Sequence, residues 1–421
     1  MSRVLESVDA HAAAMVDETS ALIRIPSVSG SDAENEAQAV LARRLSTSGY
    51  DVDHWQLDLA ELSSHPEFPG VEVDRQEAWG LVARLPGTGD GPALMLNGHI
   101  DVVPIGDPNA WVDAPFAGAT RAGNLYGRGA CDMKAGLVAS IHAMDALRAS
   151  GVRLAGDVIL ASVQGEEDGG LGTFALLQRG WRTDACVVAE PTELDVIPAN
   201  SGSLTFRLRV PGQATHAARR TEGVSAIEKF WPVWQALVEL EQRRHEVVDP
   251  LMSRWPLAHP LSIGVVTAGD WASSVPDLLV AEGRLGVALG EPVEHARADL
   301  EQTVAELNDR DPWHRRHPVE LEWWGGQFAP GRLPADSDLI DRVRAAHAVS
   351  SSDAGRSQRV YGAPYGSDLR LLTGLGGIPT VQYGPGDVRL AHGPRERVPI
   401  DDVVTTARSL ALLALDVCGE G

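Results

Sequence analysis

The stretch ALMLNGHID, Ala93 to Asp101, opens on the apolar run Ala93–Leu96 and closes on Asn97-Gly98-His99-Ile100-Asp101. A short apolar run that breaks into glycine and polar residues reads as a buried strand with a loop at its carboxyl end. Similar runs recur on both sides of it. Trp79–Leu85 reads as a preceding strand, and Val158–Val163 and Ala185–Val188 as later ones. Between them Leu137, Val138, Ile141, Met144 and Leu147 fall on one helical face. This alternation predicts an α/β fold, a mixed and mostly parallel sheet flanked by helices. Upstream, Val4–Ile23 carries apolar residues at helical spacing. Ser31 with Glu34 is a capping-box pattern that opens a helix through Leu45.

The pattern changes near Ser201. Leu204–Val210 alternates apolar residues with Arg207 and Arg209, as a strand with one solvated face does. A helix over Val224–Leu240 follows, then strands at Leu261–Thr267 and Leu278–Val287. A charged helix at Val293–Leu307 and a strand at Val319–Trp323 complete a compact α+β unit. Beyond Gly325 the α/β character returns, with a helix at Asp338–Ala348, a strand at Pro379–Tyr383 and a last helix at Asp401–Val417. The expected organisation is a discontinuous catalytic domain, residues 1–200 and 325–421, interrupted by a smaller inserted α+β domain, residues 201–324.

The chain has 421 residues, with 36 Lys and Arg against 58 Asp and Glu, a formal charge of -22. So acidic a surface repels nucleic acid and anionic lipid, both of which call for a basic footprint. Cys131, Cys186 and Cys418 match no zinc-ribbon spacing and are too few to staple a secreted scaffold. The first residues lack the basic segment and apolar core of a signal peptide, and no apolar run is long enough to span a bilayer. The expected location is cytoplasmic.

Five short segments carry candidate chemistry. His99 follows a strand, and Asp101, two residues on, is of the type that orients a ligating imidazole through its second nitrogen. Taken alone, His-x-Asp is more often structural. Asp132 lies in GRGACDMKAG (127–136), either as the N-cap of the helix that follows or as a carboxylate bridging two metals. Glu166 and Glu167, in QGEEDGG (164–170), are either a solvated loop or a pair that divides metal binding from proton transfer. Glu190 in AEPT and His392 in AHGP complete the set. His99, Glu166-Glu167 and Glu190 all follow expected strands, and open α/β sheets bind ligands at that edge. The mixture of imidazole and carboxylate suits zinc, with cobalt or manganese as alternatives.

GHID, GRGACDMKAG, GEED, AEPT and AHGP, in this order, resemble the motif set of the acetylornithine deacetylase, succinyl-diaminopimelate desuccinylase, aminoacylase and carboxypeptidase G family of metallohydrolases. Trp111 to Phe116 and Tyr383–Gly386 are similar to that family as well. The resemblance implies two Zn²⁺ per chain: His99, Asp132 and Glu190 on one, Asp132, Glu167 and His392 on the other. It implies Asp101 orienting His99, Glu166 as general base, and His216 of the inserted domain steadying the developing oxyanion. The implied reaction is release of an amine from a small N-acyl amino acid or related N-acylated compound; a dipeptidase or carboxypeptidase on the same metals is the alternative. It further implies a homodimer formed through the inserted domain.

Departures from the pattern concern the substrate. Ala218-Arg219-Arg220-Thr221 follows His216 where a proline is common, Ser274 stands where Asn is common, and Arg284 is near a position that often carries Arg. These changes put the acetylornithine and succinyl-diaminopimelate assignments in doubt. Arg370, in Ser367-Asp368-Leu369-Arg370, either grips a substrate carboxylate or forms a structural ion pair. Eleven Trp, most of them between Trp231 and Trp324, suit core packing or a dimer interface better than an acyl pocket.

Overall fold

Strands buried at every position need cover on both faces, and Leu94–His99 and Val158–Val163 are such strands. They lie in a computed structural model that describes residues 1–352 and 357–421. The described chain divides into two units. One comprises Met1–Ala199, Arg332–Tyr361 and Ser367–Gly421; the other comprises Asn200–Gly331 with Gly362–Gly366.

The first unit is a six-stranded mixed sheet. Its order is Asp51–Gln56, Trp79–Leu85, Val158–Val163, Leu94–His99, Ala185–Val188 and Thr380–Gln382. The last four strands run parallel, and the first two add as antiparallel neighbours. The helix Ala135–Ala149 is buried along nearly its whole length and packs with Ile400–Cys418, Ser2–Ala10 and Ala12–Ile23 in one core. Six expected elements are found within a residue or two at each end. These are the strands Trp79–Leu85, Val158–Val163, Ala185–Val188 and Thr380–Gln382 and the helices Leu339–Ser350 and Ile400–Cys418.

Three expectations need correction, and one strand was not expected. The single helix expected over Val4–Ile23 is two, Ser2–Ala10 and Ala12–Ile23, parted at His11. The helix Asp32–Thr47 starts after Ser31, yet Ser31 makes no side-chain cap, and the Glu34 carboxylate accepts from Gly30 and Gly165 N–H instead of the Ser31 N–H. Arg75 draws Glu34 inward, away from a reciprocal cap. Asp51–Gln56 forms an edge strand with no apolar run to announce it. Asp132 caps no helix: Lys134 precedes the first helical residue, Ala135, and Asp132 has extended backbone inside the turn Ala130–Lys134.

The second unit is a four-stranded antiparallel sheet in the order Leu261–Ala268, Leu278–Val287, Gly202–Pro211, Glu320–Phe328. The helices Ala226–Arg244 and Val293–Arg310 supply Val233, Leu237, Leu240, Ala296 and Leu300 to a core with Leu204, Phe206 and Leu208. Arg207, on the open face of its strand, bridges Glu282 and Glu322 on the two neighbouring strands. Among the described residues, no helix is long and apolar enough to cross a membrane.

Candidate metal centre

Three neighbouring parallel strands, Val158–Val163, Leu94–His99 and Ala185–Val188, deliver the Glu166-Glu167 turn, His99 and Glu190 at their carboxyl ends. Close packing of the helix Ala135–Ala149 brings Asp132 to the same place. A Cβ on Gly136 would lie 1.9 Å from the Ala189 carbonyl oxygen, so only glycine lets the helix start against the strand end that carries Glu190.

His99 is the last residue of its strand and is buried. Its Nδ1 lies 2.9 Å from the backbone oxygen of Asp101, which accepts the Nδ1–H, and its Nε2 faces Asp132 Oδ1 at 3.1 Å. Asp101 thus meets His99 by its carbonyl; its carboxylate oxygen is 3.7 Å away. That carboxylate accepts instead from Ser29 Oγ at 3.0 Å and from the Glu166 and Glu167 N–H groups at 3.3 Å each.

The two oxygens of Asp132 face different histidines, Oδ1 toward His99 and Oδ2 toward His392 Nε2 at 3.4 Å. His392 Nε2 is 3.1 Å from Glu167 Oε2. Potential ligand atoms of His99, Asp132 and Glu167 lie within 4.8 Å of one another, as do those of His99, Glu166 and Glu190. The structure therefore brings together His99, Asp101, Asp132, Glu166, Glu167, Glu190 and His392.

Charge in this cluster is unbalanced. Burial, with the Asp368 charge next, holds the Glu166 carboxyl well above the usual carboxylate range. Burial and the charge of Asp132 do the same to Glu190. Burial also acts upward on Asp132, but hydrogen bonds from His392 and His99 outweigh it and hold that carboxyl well below its ordinary value. Glu167 is the chief cause that raises His392 to about 11. For His99 burial acts downward, but Asp132, Asp101 and Glu190 together carry it well above an ordinary histidine. Carboxylates crowded this closely without enough cations are costly to bury. Imidazole nitrogens and carboxylate oxygens converging on one another are the donor set of zinc, and divalent cations held there would remove the imbalance.

Several supporting residues escaped the sequence reading. Glu396 is buried, pairs with Arg128, and accepts from the N–H groups of Gly129, Cys131 and Asp132, so it fixes the turn that presents Asp132. Asp368 is buried beside Glu166's surroundings and accepts from Thr173 Oγ1 at 2.6 Å, which in turn accepts from Asn97 at 3.2 Å. Arg128 and Asp368 lie inside quoted segments; for Arg128 the signal was a full charge between two glycines. Arg370 is 5% exposed and donates to the Gly169 carbonyl at 2.6 Å.

The remaining expected residues belong to the other unit. His216 pairs with Ser274 across a two-stranded ladder, and its Nδ1 accepts from the Ala218 N–H at 3.1 Å. Arg284 lies over the Phe328 ring at 5.9 Å.

Comparison with known proteins agrees with this chemistry. The profile of Peptidase family M20/M25/M40 matches residues 95–416. A succinyl-diaminopimelate desuccinylase of Methylorubrum extorquens is 38% identical over 91% of this chain and 93% of its own. N-formyl-4-amino-5-aminomethyl-2-methylpyrimidine deformylase of Bacillus subtilis is 28% identical over 90% of this chain and 89% of its own. Among solved structures, the YXEP protein of Bacillus subtilis, described as a dinuclear metal-binding peptidase, superposes with a TM-score of 0.59 at 17% identity. That match covers 97% of this chain and 99% of the other.

Proposed function

This chain belongs to peptidase family M20/M25/M40, and from that premise we propose that it is a two-metal deacylase of a small N-acyl amino acid or related N-acylated compound. That it hydrolyses carbon–nitrogen bonds follows from the family and its amidohydrolase relatives. The observation that carries the finer reading is Asp132, whose two oxygens face the buried His99 and the exposed His392 across one acidic cluster.

In this reading His99, Asp132 and Glu190 hold one cation, and Asp132, Glu167 and His392 the other; zinc is the metal, with cobalt or manganese as substitutes. When bound, the two cations supply Lewis acidity toward the scissile carbonyl and lower the pKa of the attacking water. Glu166 takes the proton of that water and passes it to the leaving amine. Asp101 orients His99 through its carbonyl and the Glu166-Glu167 turn through its carboxylate. By the family resemblance His216 steadies the oxyanion, and Ser274, paired with it on the neighbouring strand, and Arg284 are assigned to a substrate carboxylate. Arg370, whose Nη2 donates to Gly169 O, is assigned to a substrate carboxylate through its other N–H groups in this reading.

A homodimer through the second unit and a cytoplasmic location complete the reading. The edge strand Leu261–Ala268 and the exposed Trp231, Val265 and Val266 support the first; three buried, unpaired cysteines are in keeping with the second.

The test pairs metal analysis with turnover. Purified protein is expected to carry about two divalent ions per chain and to release amine from a panel of formyl-, acetyl- and succinyl-amino acids, with loss on chelation and return on adding zinc. Preference for dipeptides across the panel would overturn the deacylase reading, and a chelator-insensitive activity would overturn the metal site.

A further inference from the structure

Arg75 lies in the irregular segment between the helix Leu59–Ser64 and the strand Trp79–Leu85, and no motif attaches to it. Its side chain is nonetheless only 3% exposed. The guanidinium is shared between two buried carboxylates. Nε and Nη2 donate to Glu34 at 3.1 and 3.3 Å, and Nη1 and Nη2 donate to Asp168 at 2.9 and 2.8 Å. Each carboxylate also accepts backbone N–H groups. Glu34 accepts from Gly30 at 2.8 Å and Gly165 at 2.9 Å, and Asp168 from Glu72 and Val73 at 3.1 and 3.2 Å.

Gly165 and Asp168 bracket Glu166 and Glu167. One guanidinium therefore holds both ends of the turn that carries the proposed base and a proposed ligand. The segment that supplies it presses directly on that turn: a Cβ on Gly169 would lie 1.9 Å from the Gly70 carbonyl oxygen. A planar fork with five donors satisfies two bidentate partners at once, and an ammonium does not.

We propose that Arg75 is a positioning residue of the hydrolase, whose guanidinium, shared between Glu34 and Asp168, fixes the Glu166-Glu167 turn in its working geometry. The proposal rests on the reading of Glu166 and Glu167 given above. Its test therefore includes a readout that needs neither metal nor turnover.

Arg75→Lys and Arg75→Ala are compared with the wild type by hydrogen–deuterium exchange, thermal melting and steady-state kinetics. Faster exchange is expected in residues 163–171 and 70–75 and not in the remainder of the sheet. kcat is expected to fall about 10- to 100-fold, the usual effect of groups that orient a metal site's ligands, with KM little changed. Added guanidinium ion is expected to restore part of kcat to Arg75→Ala but not to Arg75→Lys, whose side chain fills the site. Unchanged exchange in residues 163–171 overturns the proposal. So does exchange raised evenly across the sheet, which would make Arg75 a stability residue. Should Arg75→Ala fail to fold, Arg75→Lys and Asp168→Asn decide by the same exchange pattern. If the wild type proves inactive, the exchange result still tells whether Arg75 holds the turn, and only the functional reading falls.

Discussion

Glu166 and Glu167 are adjacent carboxylates in one turn, and their surroundings separate them. Glu167 lies 3.1 Å from His392, whereas Glu166 is buried, and burial with the Asp368 charge shifts its carboxyl above the usual carboxylate range. A group that only relays protons can lose its charge without unseating a metal. Glu166→Gln is therefore expected to keep the full metal content of the wild type while kcat falls about 10²- to 10⁴-fold. Metal analysis alongside turnover checks this, and a Glu166→Gln protein with near-normal kcat would move the base elsewhere. At this scale the sequence was readable where a candidate residue followed an expected strand end within a recognisable segment, as His99 and Glu190 do. It was misleading for Asp101, because nothing in His-x-Asp says whether the carbonyl or the carboxylate meets the imidazole. Arg75 and Glu396 were illegible, since their partners lie 41, 93 and 264 or more positions away and no local pattern encodes such a contact.

Elements were legible in proportion to how much of their apolar surface one partner covers. The strands Val158–Val163 and Ala185–Val188 are buried at every position and read directly as apolar runs. Asp51–Gln56 is an edge strand without a fully buried residue, so its sequence carries no period to find. The capping box failed because tertiary ion pairing prevails over a local hydrogen bond for Glu34. The edge strand Leu261–Ala268 poses the opposite problem: it was legible, but five of its eight positions are exposed, Val265 and Val266 among them. An apolar edge left unpaired invites another strand, and natural edges usually carry charge to prevent this. In the homodimer reading a second copy pairs here. Light scattering of the wild type at micromolar concentration is expected to give twice the chain mass, and Val265→Lys with Val266→Lys is expected to give the monomer with an unchanged circular dichroism spectrum. A monomeric wild type would remove the dimer from the reading.

At the scale of the whole molecule, a chain of charge -22 brings several of its carboxylates together with two histidines, and the two-metal reading makes a statement about stability against pH. Without metal, His392 is raised to about 11, so it contributes stability that is complete below its ordinary value of 6.5 and is lost as pH rises toward 11. His99, also raised, acts in the same direction. Glu166 and Glu190 are raised carboxyls, which the folded chain protonates more readily than the unfolded one; they too weaken the fold as pH climbs above the ordinary carboxylate value. Within the cluster Asp132 is depressed, and its contribution is lost only in acid. Divalent cations reverse the sense of the larger group, because ligands must shed their protons to bind and affinity then rises with pH. The melting temperature of chelated protein is expected to fall between about pH 6 and pH 9, while that of zinc-loaded protein holds, so that the gap between them widens steadily with pH. Scanning fluorimetry across that range measures the gap. A constant difference would mean that bound metal displaces no protons from these histidines and carboxylates, and that the cluster is not where the metal lies.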